Sequence, residues 1–210
     1  MKLLLLGATG GTGQQLVRQA LAAGNDVTAL VRNPAKLSLE DPYLVIRVGS
    51  VMDSAAVDEA VAGQDAVLST LGVNDPRELL RASLMADCMA AVIPAMERHH
   101  VDRVIVLSAL GVGASAPMAP PLLRIVFGTA LRQVARDKAA AEAALRASNL
   151  NWTTVYAPPL GNGQATGQYQ AGEHLRVRGL GKVSRADLAG FMLAQIDDTT
   201  FSRRMAILTA

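Results

Sequence analysis

The chain has 210 residues, a formal net charge of +2, half of its residues hydrophobic and only 3% aromatic. That length suits one substantial α/β domain, while scattered basic residues and few aromatics exclude a basic arm or a base-stacking platform for nucleic acid and favour a small anionic ligand. A single cysteine, Cys88, excludes a disulfide framework, and no apolar run reaches membrane length, so a soluble, cytoplasmic protein is expected.

Leu3 to Leu6 is a short apolar run, right for a strand buried on both faces of a parallel sheet. Only Lys2 lies between it and Met1, so no signal peptide is expected. Gly7, Gly10 and Gly13 follow with the spacing G-x-x-G-x-x-G, and Gln14 to Ala23 then repeats at helical period and stops at Gly24. Glycines placed between a buried strand and a helix supply a tight turn, a close approach of backbone to a pyrophosphate, and contact of helix with strand. The helix N-terminus then points free N–H groups at an anion.

Asp26 to Val31 is a second strand, and Arg32 to Lys36 its exit turn. Strand, helix and strand make a βαβ unit. The ribose of a bound dinucleotide lies at the end of this second strand, where an acid suits two hydroxyls and a cation suits a 2′-phosphate. Arg32 occupies that position, Lys36 sits one turn on, and no acid occurs between Val27 and Leu39, so NADP is expected rather than NAD.

Further strands are predicted at Tyr43 to Val48, Ala66 to Thr70, Arg103 to Ser108 and Trp152 to Tyr156, with Met205 to Leu208 as a late edge strand. Helices are predicted at Asp53 to Ala62, with Asp53 as N-cap, at Ala82 to His99, at Ala130 to Ser148, and after Ser184, which opens a near capping box with Asp187. Strands alternating with helices imply a doubly wound, mostly parallel sheet in one domain, residues 1–210. The irregular stretches 109–123 and 158–182 follow strand ends, where ligands bind in such sheets, and are expected to be substrate loops.

The runs Gly7 to Gly13, Leu30 to Leu37, Val61 to Val67, Leu107 to Ala109, Tyr156 to Pro159 and Ser184 to Leu193 together resemble the atypical short-chain dehydrogenase/reductases. Within them the chain is most similar to the flavin reductase and biliverdin-IXβ reductase group of the NmrA-like, NAD(P)H-binding set. The resemblance implies a Rossmann-like fold and an NADPH-dependent reductase of a flavin, tetrapyrrole or quinone, acting as a monomer or weak homodimer. It places the phosphates on Thr9, Gly10, Gly11 and Thr12, the 2′-phosphate on Arg32 and Lys36, and Ser108 near the nicotinamide. Further cofactor contacts are expected from Gly7, Gly13, Ser50, Val51, Leu71, Gly72, Ala109, Pro158, Pro159 and Leu160.

Three departures from the family pattern bear on chemistry. Gly49-Ser50 replaces the usual Gly-Asp, Val134 stands where a Tyr-x-x-x-Lys pair ending at Lys138 needs tyrosine, and Leu160 replaces a histidine of some relatives. Alcohol dehydrogenation is thereby disfavoured, and no side chain reads as an essential proton donor, so solvent or the acceptor is expected to supply the proton. Ser108 and Lys138 are the catalytic candidates. Lys138 and Glu142 share one helix face in the order less favourable for simple helix stabilisation, so the pair reads either as part of the site or as solvated charge. Arg124, Arg178 and Lys182 read as surface charge or as partners of acceptor carboxylates or phosphate. Met118 reads as core or as pocket wall, and His99-His100 as a helix end rather than a metal site. The alternative function is a non-catalytic NADP-binding redox sensor. A sensor usually carries a partner-binding extension, and the chain stops at Ala210 directly after its last strand, so the enzyme is expected.

Overall fold

Alternate leucines of the first strand face opposite helical layers, and the rest of the chain is built outward from it. In the computed structural model, which describes residues 1–72, 83–177, 179 and 181–209, β1 (Lys2–Leu6) pairs in parallel with β2 (Asp26–Val31) on one side and β4 (Ala66–Ser69) on the other. Leu3 and Leu5 join the core under α1 (Gly11–Ala22) and α6 (Arg185–Ala194), with Leu16, Val17, Leu188 and Met192. Leu4 and Leu6 join the opposite core under α2 (Ser54–Val61), α3 (Leu84–Arg98) and α5 (Arg132–Ala147), with Val57, Met89, Val92 and Leu145. Each fully buried leucine contributes about 1.5–3 kcal/mol, so burial on both faces commits the strand to the sheet centre.

β3 (Leu44–Val48), β5 (Arg103–Ala109), β6 (Asn151–Ala157), β8 (Gln170–Gly172) and β10 (Arg204–Thr209) complete an eight-stranded sheet of order β3-β2-β1-β4-β5-β6-β10-β8. This is one Rossmann-like, doubly wound α/β domain. All neighbours are parallel except β10 and β8. The run Met205 to Leu208 is therefore not an edge: β10 is enclosed by β6 and β8, and the short Gln-Ala-Gly strand β8 takes the edge.

Both predicted substrate loops hold regular structure. The first contains a 3₁₀ segment (Gly113–Met118) and α4 (Pro121–Gly128), whose start the paired prolines set. The second contains β7 (Leu160–Gly161), which pairs with β9 (Val183–Ser184) in a small separate sheet, as well as β8. The Val177 amide donates to the Met118 carbonyl at 3.1 Å, joining the two loops above a third core of Leu110, Tyr156, Val177 and Ile207.

The helix ends follow from local chemistry. The Asp53 carboxylate accepts from Ala55 and Ala56 amides at 3.0 and 3.4 Å. Ser184 accepts from the Asp187 amide at 2.9 Å. α3 is capped from a distance: Asp137 on α5 accepts from Met85 and Ala86 amides at 3.0 and 2.8 Å. Ala82, the expected first residue of α3, lies outside the described residues.

Candidate functional site

Strand order reverses between β1 and β4, and the crevice outside their carboxyl ends is where such sheets bind ligands. Gly7 has φ +83°, and its carbonyl accepts from the Gly10 amide at 3.0 Å, closing the turn. A Cβ on Gly7 would lie 2.9 Å from Thr70 and Leu71 backbone atoms, so the chain leaving β4 enforces glycine there. α1 begins with Gly10 as N-cap, without a capping side chain and without an acid in its first turn. A Cβ on Gly10 would meet nothing nearer than the Gly7 oxygen at 3.4 Å, leaving open space in front of that helix end.

The crevice has two halves. The smaller, about 110 Å³, is bounded by Gly7, Thr9, Arg32, Ser50, Val51 and Leu71. Arg32 is exposed there and forms no ion pair among the described residues. The Ser50 hydroxyl accepts from the Met52 amide at 3.2 Å, so its oxygen shapes the local turn. Lys36 stands apart, in a shallow hollow with Gln14 and Arg18, and its carbonyl accepts from the Gln14 side chain at 3.4 Å. The structure thus brings Arg32 and Ser50 together and leaves Lys36 outside that half.

The larger half, about 370 Å³, runs from Gly10, Gly11 and Thr12 past Gly72, Ser108 and Ala109 to Pro158, Pro159 and Leu160, and ends at Leu123, Phe127 and Lys138. Both halves share Gly10, Thr70, Leu71 and Gly72, so one elongated ligand can thread them. Gly13 lines neither half; it packs behind the turn against Gly7 and Ala8. Ser108 is 7% exposed, and its Oγ has no hydrogen-bond partner among the described residues. An orphaned buried hydroxyl costs about 1–3 kcal/mol, and a ligand in this half can relieve that cost.

Lys138 is half-buried and makes no ion pair among the described residues. Desolvation pushes its ammonium down to about 8, against the opposing pull of Asp137. The expected pairing of Lys138 with Glu142 does not occur. Glu142 turns inward, accepting from Arg146 Nε at 2.9 Å, the Ala114 amide at 3.3 Å and the Tyr156 hydroxyl. Burial and this carboxylate push the Tyr156 hydroxyl far up, so it stays protonated. Arg146 in turn lies 5.2 Å from the Trp152 ring centroid.

Other candidates are dispersed. Arg124 and Lys182 are exposed, and Arg178 lies outside the described residues. Met118 packs on the third core instead of facing the crevice. His99 sits 3.1 Å from Asp58, and no cluster of three or more His, Cys, Asp or Glu side chains suited to a metal occurs among the described residues. Leu123 closes the expected substrate loop 109–123, but sequence reasoning missed Phe127, whose helix follows paired prolines that read as loop. It also missed Arg185, which in the sequence reads as no more than the first residue after a cap. No helix among the described residues is long and apolar enough to cross a membrane.

The cradle at Gly10, the uncapped helix end and the orphaned Ser108 hydroxyl fit a dinucleotide. Comparisons with known proteins agree. A family described as NAD(P)H-binding matches residues 7–199. The chain is 28% identical to the oxidoreductase aflX of Aspergillus parasiticus, over 94% of this chain and 79% of that protein. Among solved structures, ChuY, an anaerobillin reductase of Escherichia coli O157:H7, superposes with a TM-score of 0.82 at 25% identity, covering 100% of this chain and 97% of that one. A short-chain dehydrogenase/reductase of Veillonella parvula in complex with NADP has a TM-score of 0.83 at 21% identity, covering 100% and 94%, and shares the fold.

Proposed function

This chain belongs to the NAD(P)H-binding family, and from that premise we propose that it is an oxidoreductase that uses NADPH to reduce a planar small-molecule acceptor of the flavin, tetrapyrrole or quinone type. The observation that carries the reading is the continuity of the two half-crevices through Gly10, Thr70, Leu71 and Gly72. One half ends at an arginine without an ion-pair partner among the described residues, and the other at an apolar wall that includes Lys138. When bound, a reduced nicotinamide supplies a hydride equivalent to the acceptor.

The residues around it position and protonate. Gly10, Gly11 and Thr12 hold the pyrophosphate at the α1 N-terminus. Arg32 selects the 2′-phosphate through a charge-assisted, bidentate contact. Ser108 orients the nicotinamide amide, which gives its orphaned hydroxyl a partner. Leu123, Phe127 and Leu160 exclude water and lie against a flat acceptor. Lys138 carries the proton: with its ammonium near 8 it is charged at neutral pH yet acidic enough to give the proton up, so the acceptor need not draw it from solvent. The likeness to ChuY, an anaerobillin reductase, supports a reductase of a small-molecule acceptor.

The experiment is to follow NADPH oxidation by absorbance against a panel of flavins, biliverdin isomers and quinones. Turnover with at least one of them is expected. Tight NADPH binding without turnover of any acceptor would assign the chain to the sensor class instead.

A further inference from the structure

Arg185, the first residue of α6, reaches across to the opposite lip of the crevice. A Cβ on Gly11 would stand 2.8 Å from both Cδ and Nε of Arg185, so the arginine side chain lies against the first residue of α1. One guanidinium nitrogen, Nη1, donates to the side-chain oxygen of Asn162, and no carboxylate among the described residues neutralises the charge. The N-terminus of α1 carries the positive end of the helix dipole, has no acid in its first turn, and has a second positive charge laid over it. Two positive ends that face the same space, both lining the larger half of the crevice, make sense with an anion between them.

Arg185 is held there by more than its own packing. Leu160 and Gly161 pair with Val183 and Ser184, just before Arg185. Asp187, two residues further, accepts from the Thr166 and Gly167 amides, each at 2.8 Å, and from the Ser184 hydroxyl at 2.8 Å. Burial works to raise the Asp187 carboxyl, but these donors together hold it below the ordinary carboxylate value, so it stays ionised. Residues 160–167 are thus strapped to the start of α6, with Asn162 in the middle of the strap.

We propose that Arg185 is a pyrophosphate clasp: it binds the cofactor's diphosphate from the side opposite the glycine turn, with Asn162 holding the guanidinium in place. The proposal rests on the reading of the crevice as a dinucleotide site. Isothermal titration of NADP⁺ and of adenosine 2′-monophosphate, which lacks the diphosphate, into the wild type, Arg185→Gln and Arg185→Lys tests it. Arg185→Gln is expected to weaken NADP⁺ roughly ten- to hundredfold, as loss of a charge-assisted contact implies, and to leave the monophosphate within about twofold. Arg185→Lys, which keeps the charge and loses the fork, should fall between. The unfolding midpoint of apo Arg185→Gln should match that of the wild type, while its gain on adding NADP⁺ should shrink. Unchanged NADP⁺ affinity in both variants, or equal losses for the two ligands, overturns the clasp. Failure of the wild type to bind NADP⁺ overturns the dinucleotide reading and the clasp with it.

Discussion

A Cβ atom on Gly13 would stand 2.1 Å from the carbonyl oxygen of Gly7. Gly10, three residues earlier, clears that oxygen by 3.4 Å and otherwise faces open space. The two glycines therefore fail differently. Gly10→Val is expected to fold and to lose NADPH binding, because its side chain fills the diphosphate cradle. Gly13→Ala is expected to unfold at lower temperature, because helix and strand must part. Circular dichroism melts beside a binding titration check the pair; a Gly10→Val variant that binds normally would show that the phosphates lie elsewhere.

Arg32 is exposed at the end of β2 and bounds the smaller half-crevice without an ion-pair partner among the described residues. A bidentate contact with a 2′-phosphate is worth roughly 1.5–3 kcal/mol, so NADPH should bind at least about tenfold more tightly than NADH. Arg32→Ala should abolish that preference. Calorimetric titration of both cofactors is the measurement, and a variant that keeps the preference would refute the assignment.

Lys138 as proton donor sets a pH profile. Its ammonium titrates near 8, so acceptor reduction should hold level below that pH and fall above it. Lys138→Met should lower turnover roughly 10²- to 10⁴-fold and remove the alkaline limb. Ser108→Ala should cost about tenfold, through lost orientation alone, and leave the limb in place. A wild-type profile that is flat through pH 9 would return the proton to solvent.

The same lysine makes stability depend on pH. Its ammonium is depressed in the folded protein relative to the ordinary 10.5, so between about 8 and 10.5 the unfolded chain binds more protons than the folded one. Stability contributed by this site therefore rises with pH across that window. Urea unfolding at the two ends of the window should show the gain in the wild type and not in Lys138→Met.

Glu142 is 6% exposed and joins α5 to β6 and to the 3₁₀ segment through Tyr156 and the Ala114 amide. Glu142→Ala leaves the Tyr156 hydroxyl buried and unpaired, which should destabilise the fold by about 1–3 kcal/mol. Denaturant midpoints of Glu142→Ala, Tyr156→Phe and the double variant check this: the double variant should be less destabilised than the sum of the single ones.

The sequence was most legible where the physics is local. The buried leucine run, the glycine spacing and the Asp53 and Ser184 caps each depend on neighbours within a few residues. The alternation of strands and helices implied the doubly wound, mostly parallel sheet but not the order of its strands. Strand pairing beyond β6 was not legible, because β8 is Gln-Ala-Gly, without hydrophobic alternation, and gains its place only by pairing with β10. In the site, Gly7, Arg32 and Ser108 stood out because a motif or a strand end located them. Arg185 did not: its significance comes from Gly11, a residue at the other end of the chain. Glu142 was misread for a related reason, since its partner Tyr156 lies on another element and overrides the helical neighbour at Lys138.

The enclosure of β10 between β6 and β8 has a consequence for synthesis on the ribosome. β6 is complete once Ala157 has emerged, yet its free edge stays bare until Arg204–Thr209 follow. β8 emerges in the interval and has no strand to join until β10 arrives. That side of the sheet therefore closes in an order different from that of translation. During the wait the nascent chain shows an unpaired, apolar strand edge of the kind that chaperones shield and that neighbouring chains on a polysome can capture.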